Sequence, residues 1–199
     1  MTTNLSRLYD TNTEAQRVVD DLKNAGIPSD DVSLIANSGD GSEDTTDAAE
    51  GASVGAGLGA AVGGGAGLLA GLGIMAIPGV GPIVAAGWMA ATLTGLVAGA
   101  AAGAAAGGMV GALTDSGLDE RDAHVYAESI RRGGSMVIVK TGEMNRGVAE
   151  AVLDRHASVP VADRRSTYEA EGWDGFDEKR GPYTPPSGTE PRTPPIGML

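Results

Sequence analysis

No cysteine occurs among the 199 residues, which removes disulfides, thiolate catalysis and cysteine-ligated metals together. Histidine is scarce as well, with only His124 and His156. Positive charge is thin: 14 Lys and Arg stand against 26 Asp and Glu, a net charge of -12. Those cations are scattered rather than gathered into the basic patch that phosphate binding requires, so nucleic acid is not an expected partner. The first residues, MTTNLSRLYD, hold no apolar run of signal-peptide length, and the N-terminal part is expected to stay in the cytoplasm. The last absence is the most informative. From Gly51 to Thr114, sixty-four residues pass without one charged side chain.

That stretch keeps a four-residue beat of small residues. It runs through Gly51, Gly55, Gly59, Gly63, Gly67 and Gly71, and again through Gly87, Ala91, Gly95, Gly99, Gly103, Gly107 and Gly111. Residues four apart stack on one helix face, and glycine there lets a second backbone come close. Pro78, Gly79, Gly81 and Pro82 divide the two runs and are expected to form the hairpin turn. The pattern therefore predicts a glycine-zipper helical hairpin over 51–114. Its arms, Gly51–Ile77 and Ile83–Leu113, would extend about 40 Å and slightly more as helices, against a hydrocarbon core of about 30 Å. The first arm has few strong insertion residues and ten glycines, so one arm alone is marginal in lipid and a paired arm is better. A transmembrane hairpin that assembles with other copies is the expectation; a hairpin buried inside a soluble assembly is the alternative.

Around the hairpin the chain reads as a small α+β domain. Leu5–Tyr9 is an expected strand, followed by a capping box at Thr13-Glu14-Ala15-Gln16 and a helix whose apolar face is Ala15, Val18, Val19 and Leu22. Val32–Ala36 is the next strand and closes the first half of the domain, residues 1–36. Residues 37–50 form an acidic linker without apolar periodicity. In the second half, residues 115–167, a helix over 119–132 presents Ala123, Tyr126, Ala127 and Ile130. A strand over 136–140 and a helix marked by Val148, Ala149, Val152 and Leu153 follow. Val159–Ala162 is expected as a final strand, at a sheet edge because Pro160 cannot donate to a ladder. The order predicts a split βαβ, ferredoxin-like sandwich interrupted by the hairpin. Residues 168–199 are rich in Pro, Gly and charge and are expected to be mostly disordered, with Trp173 and Phe176 packing back on the domain.

Catalytic chemistry is hard to find. His124 has Glu120 and Glu128 one turn to either side, a spacing open to metal ligation but more typical of a solvated helix face. Gly63-Gly64-Gly65-Ala66-Gly67 lacks the preceding strand and the following Lys and Ser or Thr of a phosphate loop. Adjacent carboxylates at Asp20-Asp21, Asp30-Asp31 and Glu43-Asp44 imply no pocket. No catalytic residue, metal ligand or cofactor is expected.

The run RLYDTNTEAQRVVDDLKNAGIPSDDVSLIAN resembles the start of the bacterial general stress protein domain family of the heat-induced YflT type. AIPGVGPIVAAG, GGMVGALTDSGLDERDAHVYAESIRRGG and the GWDGFD tail resemble its relatives with an inserted glycine-zipper hairpin. The resemblance implies a stress-linked, non-enzymatic protein. Combined with the hairpin, it predicts a structural or membrane-protective homo-oligomer in the bacterial inner membrane, in contact with lipid and with both termini cytoplasmic. An oligomeric pore, or a cytoplasmic assembly or ligand-sensing protein with the hairpins as a buried helical core, is the alternative.

Overall fold

The computed structural model describes residues 2–37, 73–77, 80–93, 108–181, 183 and 184. Strand β1 (Thr3–Tyr9) leads into helix α1 (Asn12–Asn24), whose amino end is capped by Thr11 rather than by the expected Thr13. The Thr11 hydroxyl accepts the Glu14 amide at 3.2 Å, satisfying one of the free N–H groups of the first turn. Strand β2 (Val32–Asn37) follows, and after it come β3 (Gly73–Ile77) and β4 (Gly81–Ala86). Residues 88–93 are helical. Helices α2 (Gly108–Asp115) and α3 (Glu120–Arg131) precede β5 (Ser135–Thr141), and α4 (Glu143–Leu153) and α5 (Val161–Ala170) complete the set.

The five strands form one sheet in the order β1-β5-β2-β4-β3, every neighbouring pair antiparallel. Strands β1 and β2 both run against β5, so they are parallel to each other with β5 between them. That is the split βαβ arrangement the sequence predicts. The expected fourth strand is reduced to one bridge, Leu8 with Val159 on the outer side of β1, where the Val159 amide donates to the Leu8 carbonyl at 2.8 Å. Pro160 then ends the ladder instead of continuing along an edge. Its φ of -60° suits the start of α5, and Val161 and Ala162 are helical, not extended.

A larger correction concerns the apolar stretch. Residues 73–77 and 81–86 are strands of the domain, paired from Gly73 with Ala85 to Ile77 with Gly81, so the middle of the expected helical hairpin is a β-hairpin. Strand β4 also pairs with β2, from Leu34 with Ala86 to Asn37 with Ile83. The β-branched Ile74, Ile77, Ile83 and Val84 favour this conformation. Pro82 falls beyond the last β2–β4 pair, where a missing N–H costs no ladder bond on that side. The chain reverses between Ile77 and Gly81, with Val80 donating to the Ile77 carbonyl at 3.1 Å. Gly81 and Pro82 belong to β4, and Pro78 and Gly79 lie outside the described residues. No helix among the described residues is long and apolar enough to cross a membrane. The rest of the expected arms, residues 51–72 and 94–107, and the linker beyond Asn37 also lie outside them.

Both sheet faces are covered. Helices α1 and α4 bury Val18, Leu22, Val152 and Leu153 against Leu5, Val137 and Val139. On the other face Met89, Leu93, Met109, Leu113, Tyr126 and Ile130 pack on Ile35, Ile83, Met136 and Ile138. A plain ferredoxin-like sheet would leave this second face open; here α2, α3 and residues 88–93 close it. Glycine is required at position 87, where φ is +83° and a Cβ would lie 2.2 Å from the Val32 carbonyl oxygen.

Candidate functional site

The densest charged cluster sits in the last turn of α3. Val125, Ser129 and Arg132 recur on the side of the helix turned away from the sheet, where α5 and the segment after it pack. Glu128 is 1 % exposed and paired with arginine. Its carboxylate accepts Arg131 Nε at 2.9 Å and Arg131 Nη2 at 2.6 Å, and also Arg132 Nε at 2.6 Å. A carboxylate removed from water needs this many charge-assisted partners to stay ionised without a large penalty. Two arginines at a helix C-terminus also face the negative end of its dipole.

Arg132 makes a further ion pair with Glu171, just past α5. Burial opposes its charge, but the bonds to Glu171 and Glu128 outweigh that and push the guanidinium pKa up. The same guanidinium lies over the Tyr168 ring at 4.1 Å and the Tyr183 ring at 4.9 Å, a contact that strengthens where water is excluded. Tyr168 donates to Ser129 Oγ at 3.1 Å, and burial raises its phenol pKa.

Beside this cluster lies a cleft of about 240 Å³ between the end of β1, the end of α3 and α5. Its walls are two ion pairs, Arg132 with Glu171 and Arg164 with Asp10, and its floor includes Ser129 and Tyr168. The hydroxyls are engaged within their own helices: Ser129 Oγ donates to the Val125 carbonyl at 2.7 Å and Thr167 Oγ1 donates to the Asp163 carbonyl at 3.0 Å. The arrangement joins helices and holds a following segment in place.

Among the residues singled out from the sequence, His124 is engaged structurally. Its Nδ1 accepts the Phe176 amide at 3.1 Å, while Glu128 belongs to the arginine cluster, so the helix-face metal spacing is not assembled. Among the described residues no group of His, Asp and Glu is placed to hold a metal ion. His156 bonds Asp21 at 3.0 Å and ties α4 to α1. Of the small residues expected to pack helix on helix, Gly87, Ala91 and Gly111 are described; the remainder lie outside the described residues. The close approach at Gly87 is to the backbone of β2, not to a helix. Ala91 is exposed and Gly111 is half-buried in α2.

Trp173 and Phe176 pack back as expected, each 8 % exposed. The disorder expected from Tyr168 onward does not begin there. Tyr168 is buried within α5, and the chain is described through Gly181 with further contacts from Tyr183, while residues 182 and 185–199 lie outside the described residues. The sequence reading passed over the Glu128-Arg131-Arg132 cluster. Its signal was a carboxylate three and four residues before two arginines, on a helix whose Glu128 position falls beside the apolar stripe.

Residues 5–76 match the sequence model of the heat induced stress protein YflT domain. The match begins within β1, takes in α1 and β2 and ends within β3, and it supports a stress-related role for the chain. No curated protein and no solved structure shows a significant match to it.

Proposed function

We propose that this is a non-enzymatic, stress-related structural protein: an α+β domain that carries two uncharged Gly/Ala-rich segments and self-assembles through them. The observation that carries the reading is where those segments are tied. One joins the end of β2 to β3 and the other joins residues 88–93 to α2, so each leaves and returns to a single folded core.

That tethering argues for assembly over a two-pass membrane hairpin. A single crossing by residues 51–72 would put β2 and β3 on opposite sides of a bilayer, whereas both are strands of one sheet with only β4 between them. Two crossings need on the order of 40 apolar residues. Residues 94–107 would extend about 21 Å as a helix, short of a hydrocarbon core of about 30 Å. Both faces of the sheet already carry helices, which leaves no apolar sheet face of the described domain for these segments. Leu58, Val62, Leu68, Leu69, Leu96 and Val97 then find their burial against the equivalent segments of other copies, with the glycine beat allowing close approach.

The test is the native mass of the full chain purified without detergent, measured for the parent, Gly63→Leu and Gly99→Leu, with Leu69→Ala as the control off the glycine beat. The parent is expected as an oligomer, both leucine variants as smaller species and the control as the parent. A monomeric parent refutes the reading. A parent recovered only with membranes after carbonate extraction returns the account to a bilayer-embedded segment.

A further inference from the structure

Downstream of α5 the chain does not leave the domain but crosses it. Trp173 packs edge-on against Tyr168 at 5.7 Å, and Phe176 enters the main core while its amide is held by His124. Arg180 pairs with Asp174 at 3.2 Å, an ion pair internal to the segment. The Arg131 guanidinium donates to the Gly181 carbonyl at 3.3 Å, and the Tyr183 ring lies 5.5 Å from Arg131 and 4.9 Å from Arg132. Between these anchors stands Glu178. Its carboxylate occupies the space that a side chain at Gly108 would fill. Gly108 is the first residue of α2, has φ of +43° and follows directly on the apolar residues 94–107.

We infer that residues 172–181, together with Tyr183, form a latch whose Glu178 carboxylate holds the amino end of α2, at the point where the second Gly/Ala-rich segment rejoins the core. The physical basis is twofold. The first turn of a helix offers unsatisfied N–H groups and the positive end of the dipole, and a carboxylate placed there stabilises it. Gly108 in turn leaves room for that carboxylate, since a Cβ there would displace it. The anchors on α3 are the other end of the device: Arg131 holds the segment by the Gly181 carbonyl, three residues beyond Glu178, and Arg131 and Arg132 hold it by the Tyr183 ring. Undocking at either end frees the first turn of α2 and lengthens the tether of the apolar segment. Its consequence for assembly rests on the function proposed above, but the latch itself does not.

Hydrogen exchange of the full chain, read by mass spectrometry over residues 108–118, tests it in the parent, Glu178→Ala and Tyr183→Ala. Glu178→Ala removes the contact, and exchange in α2 should rise about tenfold, the opening change that goes with loss of a helix-end partner. Tyr183→Ala touches α3 only, yet should raise exchange in the same peptide by about threefold if the segment acts as one unit. Peptides from α1 and α4 should be unchanged in both variants. Unchanged exchange over 108–118 in both overturns the latch, and a rise in Glu178→Ala alone reduces it to a local cap. A monomeric parent would sink the assembly reading while leaving this comparison intact.

Discussion

Replacing Glu128 by Gln perturbs the buried charge cluster with almost no change of shape. The carboxylate is 1 % exposed and the two guanidiniums it binds are 8 % and 15 % exposed, so water does little to replace what is lost. The amide keeps one acceptor oxygen for three donors and turns an NH2 group toward a guanidinium. Removing one partner of a buried ion pair costs about 3–5 kcal/mol. Arg132 keeps Glu171 and its place over Tyr168, which points to the lower end, about 3 kcal/mol. For a domain of this size that corresponds to a fall in Tm of about 6–12 °C. Urea unfolding followed by circular dichroism reads the free-energy change, and calorimetry the Tm. A loss under about 1 kcal/mol would show that the cluster is solvated and that its burial contributes little. Arg131→Met combined with Glu128→Leu should then be less damaging than the single Glu128→Gln, because no unpaired charge is left behind.

Two more perturbations probe buried tyrosines and a tight glycine. Tyr9, Tyr126 and Tyr168 are buried, and burial raises the pKa of each phenol. The unfolded chain, with phenols near 10, therefore loses these protons first as pH rises. Stability is intact below pH 10 and falls above it, with an upper limit of about 1.4 kcal/mol per pH unit for each tyrosine. Urea midpoints between pH 9 and 11 check this, and a flat profile contradicts it. Gly87→Ala forces a Cβ onto the Val32 carbonyl at φ of +83° and should cost about 2 kcal/mol or more, whereas Gly117→Ala has φ of +93° but open space and should cost about 1 kcal/mol. Equal costs in chemical denaturation would mean that the close approach of Gly87 to β2 is not tight.

The regular elements were legible where one period dominated. Ala15, Val18, Val19 and Leu22 announced the buried face of α1, and Ala123, Tyr126, Ala127 and Ile130 that of α3. The β-hairpin was misread because the glycine beat on either side was extended through it. The beat in fact stops at Gly71 and resumes at Gly87, and the interval holds Ile74, Ile77, Val80, Ile83 and Val84, a β-branched composition that favours strands. Val159 and Pro160 were assigned to an edge strand correctly in position but not in length, since proline stops the ladder after one bridge. The charged cluster and the Glu178–Gly108 contact could not be read from periodicity. The Glu128 pairs are local, but the Arg132–Glu171 pair, the Tyr168 contact and the approach of Glu178 to Gly108 join residues far apart in sequence, whose meeting depends on helices that first have to pack.

The proposed assembly rests on β4 being paired with β2 within one sheet. Ala36 and Val84 face each other across β2 and β4. Opposite Cβ atoms in such a pair lie about 4.5–5.5 Å apart, within a small adjustment of disulfide distance. The chain has no cysteine of its own, so Ala36→Cys with Val84→Cys gives a clean measurement. Mild oxidation should join the two thiols within one chain, seen as faster migration on a non-reducing gel that dithiothreitol reverses. Two thiols that stay free, or that link only between copies, would place residues 81–86 away from β2 and contradict the account.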